Sequence, residues 1–288
     1  MSRARGDQHS HAPDPAGEAQ REHPTIQCDF YFMEPGKEGA VVALLIVDVW
    51  SRYVAVSPLK RRNAQTVGQA LVKFIGEVRD GTVEIAHDNE PVLVAGVNFC
   101  KTARARAGLG TIVSPNKAYD KSRTSIAERF VQTIRGIQKT LISQLEDHIE
   151  ASVPEGHPLI QWAAMHAAWL YDRYHVHSTM KVTPYQSLRG RPYRGKLVCF
   201  GQTVYGLDPR ATKFKPGWRK GARIGKDTAN MDLIATDGFS IMRTKAVRNV
   251  SDQWDADLLI GITDGPMDFF EGKAEGCGTS CTNSGSGG

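Results

Sequence analysis

No apolar run in this 288-residue chain is long enough to cross a membrane as a helix. The best candidate, Ala40–Val49, is about half the roughly 20 residues required. The N-terminus lacks the apolar core of a secretory signal. Five cysteines (Cys28, Cys100, Cys199, Cys277, Cys281) are odd in number and scattered, which argues against a disulfide framework and for a reducing compartment. Cys277 and Cys281 are close together but have no second pair. His9, His11, His23 and Cys28 do not have finger spacing, so no zinc site is expected. There is no internal repeat. These absences exclude a membrane span, a disulfide scaffold and a solenoid.

What the chain does have is concentrated positive charge. The net charge of +5 is mild. From Lys101 to Lys139, however, nine Lys/Arg face only Asp120 and Glu128, and from Arg210 to Arg223 six basic residues occur with no acid. Such stretches suit a phosphate backbone, although either could be a solvated face.

Residues 1–24 are polar and rich in Pro, Gly and His, and are read as a disordered segment. Strand-like runs follow at Thr25–Phe32, Val41–Val49 and Tyr53–Leu59, as in an antiparallel meander. Helical spacing over Asn63–Val78, with Asn63 as N-cap, precedes a short strand at Thr82–His87, a helix at Pro91–Ala107 and a strand at Leu109–Ser114. After a polar loop, Pro115–Arg123, comes the clearest helix, Ile126–His148. Its apolar stripe (Phe130, Ile134, Ile137, Leu141) and its polar stripe (Glu128, Gln132, Arg135, Lys139) have the same spacing. A second helix, Leu159–Tyr174, carries Trp162, Trp169 and Tyr171 as packing residues. Strands are expected at Trp218–Ile224, Met231–Thr236 and Phe239–Arg248, with Asp237-Gly238 as a hairpin turn.

This order predicts an α/β fold: a ribonuclease H-like mixed five-stranded sheet with flanking helices over 25–150. A helical extension and linker (151–206), a small β-rich module (207–262) and a disordered tail (263–288) would follow.

Three acidic residues stand out. Asp29 and Asp88 close strand-like runs, and Glu128 opens the long helix, at intervals of 59 and 40 residues. In a ribonuclease H-like fold these three elements converge at one edge. Carboxylates there suit Mg²⁺ or Mn²⁺, and two such ions about 3.5–4 Å apart serve phosphodiester cleavage and joining. Each residue alone has a plainer reading. Asp29 could be a strand-terminal polar residue and Asp88-Asn89 an ordinary turn, and Ser125–Glu128 reads as a capping box. Asp48, a rival first ligand, follows a buried strand into a turn and is read as structural.

The same residues resemble the integrase region of retrotransposon polyproteins, nearest the copia type, and through it the retroviral integrase catalytic cores. The resemblance runs from about Thr25 to Ile262. It rests on Asp29 and the strand-turn-strand phrase Val47-Asp48-Val49-Trp50-Ser51-Arg52-Tyr53, on His87-Asp88-Asn89-Glu90, on Ala127-Glu128-Arg129-Phe130, and on Thr183-Pro184-Tyr185-Gln186 with Arg189-Gly190-Arg191 after it. Glu90 stands where the family has glycine, Thr124-Ser125 stands where it has Asn-Gly, and the family's upstream zinc-binding His/Cys module has no counterpart.

The resemblance implies that Asp29, Asp88 and Glu128 are the catalytic residues and the ligands of two Mg²⁺ (or Mn²⁺) ions. It further implies that water processes the 3′ end of element DNA, and that the freed hydroxyl attacks target DNA. An SH3-like module would bind DNA, a homo-oligomer would hold two DNA ends, and the work would take place in the nucleus. No small-molecule cofactor is called for. Expected phosphate contacts are Lys117, Lys121, Arg123, Gln132, Arg135 and Lys139 near the site, and Lys213, Lys215, Arg219, Lys220 and Arg223 in the module, where Trp218 is read as packing. Two alternatives remain open: a catalytically inactive, transposon-derived DNA-binding protein, and a ribonuclease H-like nuclease acting on RNA–DNA hybrids.

Overall fold

The structure, a computed structural model, describes residues 22–34, 41–115, 125–197, 199–212, 217–236 and 240–271. Two five-stranded sheets share a helical layer. The first has strands β1 (Thr25–Phe32), β2 (Val42–Asp48), β3 (Val54–Pro58), β4 (Val83–His87) and β5 (Thr111–Pro115) in the order β3-β2-β1-β4-β5. β1, β2 and β3 are antiparallel neighbours, whereas β4 is parallel to both β1 and β5. This mixed topology, with helices on both faces, is the ribonuclease H-like arrangement expected.

Alternation along β1 separates two cores. Ile26, Cys28 and Phe30 point to one face, where α1 (Ala64–Val78) and α2 (Pro91–Arg106) cover them. Tyr31 points to the other, under α3 (Ser125–Ile149) and α4 (Pro158–Tyr174). β2 is buried on both faces, which explains its unbroken apolar run. Asn63 caps α1 by accepting from the Thr66 amide at 3.0 Å. Helices α1 and α2 approach closely because Gly96 faces Val67; a Cβ at Gly96 would lie 2.3 Å from Val67 Cγ1.

Two of the sequence phrases are structural devices. Asp48 closes the turn after β2: its Oδ2 accepts from the Ser51 amide at 3.0 Å and from Arg79 Nη2 at 2.5 Å. Asp48 also pairs with Ile26 in the register, whereas Asp29 lies mid-strand opposite Leu45. Thr183-Pro184-Tyr185-Gln186 is a capped start of α5 (Pro184–Arg189). Thr183 Oγ1 accepts from the Gln186 amide at 3.1 Å, and Gly190 ends the helix at φ 70°.

The second sheet, β6 (Gln202–Leu207), β7 (Trp218–Lys226), β8 (Asp232–Thr236), β9 (Ile241–Thr244) and β10 (Val247–Trp254), is wholly antiparallel. Its order is β10-β6-β7-β8-β9, with the last strand beside the first, as in an SH3-like module. β6 starts inside the stretch expected to be linker. The expected single strand Phe239–Arg248 is two, broken at Lys245-Ala246. The tail reading fails for 263–271: Pro266–Glu271 is a helix (α7), and Phe269 is buried against Trp162. A short helix, α6 (Ala256–Ile260), precedes it. Residues 1–21 and 272–288 lie outside the described residues.

Helix α4 joins the sheets. Ala164, Ala167, Ala168 and Tyr171 pack on the first core, while Leu159, Trp162 and Ala163 pack on the second.

Candidate active site

The two aspartates are brought level by strand register. The parallel pair β1–β4 aligns Cys28 with His87, so Asp29 and Asp88 come next on adjacent strands. Asp29 shares a face of β1 with Gln27 and Tyr31, the face that α3 covers. Two side chains fix that helix to the strand. Gln27 Oε1 accepts from the Ala127 amide at 3.0 Å, and the Tyr31 hydroxyl donates to Gln138 Oε1. Gln138 then donates to the Ile160 carbonyl at 2.9 Å, tying α3 to α4. Glu128 follows Ala127 directly, so the first turn of α3 is held beside Asp29.

Ser125 lies within α3 rather than before it, which places Glu128 one position beyond that of a capping box begun at Ser125.

Asp29 is half-buried, whereas Asp88 and Glu128 are exposed. Burial pushes the Asp29 pKa up to about 6. The Phe30 amide, which donates to Asp29 Oδ1 at 2.7 Å, opposes the shift, and the negative charges of Glu128, Asp88 and Glu90 add to it. Four carboxylates therefore act on one another at this edge. Glu90 is engaged by Arg62, and Asp88 Oδ1 accepts from the Asn89 amide at 2.8 Å.

As the side chains stand, no three carboxylate, imidazole or thiolate groups among the described residues converge tightly enough to ligate one cation. The donor set nevertheless fits a hard divalent ion. It is all oxygen, and it includes a half-buried carboxylate that burial and like charges destabilise and a cation would relieve. Two of its three members are exposed side chains on rigid elements.

The expected DNA contacts divide into five groups, the last of them Arg223 alone. Gln132 and Lys139 are exposed along α3. Arg135 is drawn toward β1: its guanidinium sits 5.4 Å from the Tyr31 ring centroid, and Nη2 donates to the Phe32 carbonyl at 3.4 Å. Arg219 and Lys220 are partly exposed but already paired, with Asp208 at 2.9 Å and Asp255 at 2.8 Å. Lys117, Lys121, Arg123, Lys213 and Lys215 lie outside the described residues.

Arg223 is a correction. It is fully buried, and its Nε bonds Asp232 Oδ1 at 2.8 Å, so it cannot touch DNA. The basic run reads as a surface in sequence, but β7 is buried from Gly221 to Gly225, against α4. Trp218 is half-buried, with the Arg248 guanidinium 4.1 Å from its ring centroid. Three contributors had no role assigned from the sequence: Gln27, which pins α3, Gln138, which ties α3 to α4, and Arg62, which engages Glu90. An amide two residues before Asp29, on the inward face of a core strand, was the available signal for Gln27.

No family model and no curated protein matches the sequence. Solved structures do align. Among the solved structures it resembles are integrase catalytic core domains. A chain of the simian T-cell lymphotropic virus intasome, solved in complex with PP2A regulatory subunit B56 gamma, is 19% identical at a TM-score of 0.42, over 79% of this chain and 78% of that one. The HTLV-2 integrase catalytic core domain in complex with magnesium (trimeric form) is 17% identical at 0.43, over 58% and 95%. The BIV integrase catalytic core is 15% identical at 0.41, over 58% and 93%. The fold assignment above stands on strand order and register, not on these scores.

Proposed function

We propose that this chain is a retroelement integrase, of the copia type its sequence phrases resemble: a metal-dependent polynucleotidyl transferase acting on DNA as a multimer in the nucleus. One observation carries the reading. The Cys28–His87 register and the bond from the Ala127 amide to Gln27 bring Asp29, Asp88 and Glu128 to one edge of a ribonuclease H-like sheet.

Asp29, Asp88 and Glu128 would hold two Mg²⁺ or Mn²⁺ ions, which supply Lewis-acid activation of the attacking and leaving oxygens. The protein's own residues do the remaining work. Gln27 and Gln138 fix the angle of α3 on β1, and with it the carboxylate geometry on which in-line transfer depends. Gln132, Arg135 and Lys139 line the helix beyond Glu128 and would follow the phosphate backbone. The second sheet, with Arg219 and Lys220 on its surface, would add a DNA contact, each cation exchanging its carboxylate partner for phosphate. Lys117, Lys121 and Arg123 are proposed to flank the site, and Lys213 and Lys215 to extend the module's contact.

A second reading, a DNA-binding protein without catalysis, is favoured by the looseness of the carboxylates among the described residues. The deciding experiment supplies duplex ends and target DNA with Mg²⁺. Strand transfer is expected, with Asp88→Asn losing at least about 100-fold while DNA affinity stays within about twofold. Binding without transfer by the wild type would establish the second reading. Faster cleavage of an RNA–DNA hybrid than of duplex DNA would instead indicate a ribonuclease H.

A further inference from the structure

We infer that Arg62 is a positioning residue that holds Glu90 away from the carboxylate pocket and so sets the pocket's affinity for divalent cations. The inference rests on the metal-dependent reading above.

Glu90 is two residues past Asp88, at the position that caps α2. Its side chain makes no capping bond to that helix and instead reaches across the chain to Arg62. Arg62 is in turn seated on β1, with its guanidinium carbon 4.3 Å from the Phe30 ring centroid and 5.7 Å from that of Phe32. Phe30 belongs to the core beneath α1 and α2, on the opposite face of β1 from Asp29. The clamp therefore draws the Glu90 carboxylate toward one side of the sheet while Asp29 and Glu128 face the other. With Asp88 only two residues before it, a Glu90 released from Arg62 adds its negative charge beside the pocket.

Charge balance gives this arrangement its purpose. Two divalent cations exceed three carboxylates by one positive charge, and that excess attracts an anionic phosphodiester. A fourth free carboxylate would cancel the excess. It would tighten cation binding and weaken the pull on substrate. An exposed ion pair adds little to stability, so the effect of Arg62 should show in the site rather than in the fold.

The test is Mn²⁺ binding to the full chain at pH 7.5, read by the electron paramagnetic resonance of free Mn²⁺, with melting temperatures as a check on folding. Arg62→Ala is expected to bind Mn²⁺ about tenfold more tightly than wild type. Glu90→Gln should remain within about twofold of wild type. The double variant Arg62→Ala/Glu90→Gln should return to the level of Glu90→Gln, and Arg62→Lys should restore wild-type affinity. An affinity that is unchanged or weaker in Arg62→Ala, or an increase that survives Glu90→Gln, would overturn the inference and leave the metal reading intact. If wild type binds no Mn²⁺, or binds it equally well in Asp88→Asn, the metal reading falls and the inference falls with it.

Discussion

Asp29 carries a conflict between folding and the proposed chemistry. Its pKa is raised to about 6, above the ordinary carboxylate value, so the folded protein holds its proton more tightly than the unfolded chain does. Its contribution to stability is complete below about pH 4 and is lost as pH rises through about 6. At pH 8 and without metal, the ionised group is a liability. Asp29→Asn should therefore stabilise the metal-free protein by about 1–2 kcal/mol at pH 8, after allowance for partial solvent screening, and by nearly nothing at pH 4. Urea unfolding at the two pH values measures this. A destabilised variant at pH 8 would mean that the carboxylate is held by contacts that offset its burial. Asp48 is also buried, but Arg79 and Ser51 bond it, and it closes the turn after β2. The sequence marks both as strand ends, which holds for Asp48 on β2, whereas Asp29 lies in the interior of β1. The burial of Arg223 was not visible. A cation in a basic run reads as surface until its strand is placed under a helix, and Asp232, its partner, lies nine residues away on a neighbouring strand.

Among the elements, those with strong periodicity were legible nearly to the residue. The apolar stripe of α1 and the two stripes of α3 each settle which side is buried. β6 was missed because Gln202-Thr203-Val204-Tyr205-Gly206-Leu207 begins on polar residues and contains a glycine, which lowers its strand signal. Thr244 breaks the last hairpin strand: its Oγ1 accepts from the Ala246 amide at 3.2 Å and donates to the Leu207 carbonyl at 2.7 Å. A hydroxyl exchange of this kind depends on a distant strand and leaves no local pattern. Helix α4 supplies a prediction of its own. His166 is buried between Trp169 and Phe200. Its pKa is lowered well below the ordinary value, first by burial and then by the positive charges of Arg223, Lys226 and Arg173. The unfolded chain therefore takes up a proton that the folded protein refuses. The stability that His166 contributes is complete above about pH 6.5 and is lost as pH falls below it, by up to about 1.4 kcal/mol per pH unit. His166→Gln should flatten the decline in melting temperature between pH 7 and 5.5. An unchanged slope would show that other groups set it.

At the scale of the whole molecule, α4 makes one body of two sheets. Arg173 is central to that joint. It donates to Asn230 Oδ1 at 3.0 Å, and its guanidinium lies 4.5 Å from the Trp169 ring centroid and 5.1 Å from that of Tyr185. Next to it, Asp172 accepts from the Val54 amide at 2.9 Å, linking the helix to the edge of the first sheet. The second module is thus fixed in orientation to the carboxylates, as the proposed hold on one DNA along two surfaces would require. The proposed chemistry requires Asp29, Asp88 and Glu128 to close around cations. Crystals soaked in Mn²⁺ and measured at the manganese absorption edge address this directly. One or two anomalous peaks are expected within about 2.5 Å of carboxylate oxygens from at least Asp29 and Asp88, with Glu128 turned toward them. A well-ordered pocket with no peak at saturating Mn²⁺, or peaks on other carboxylates only, would contradict it.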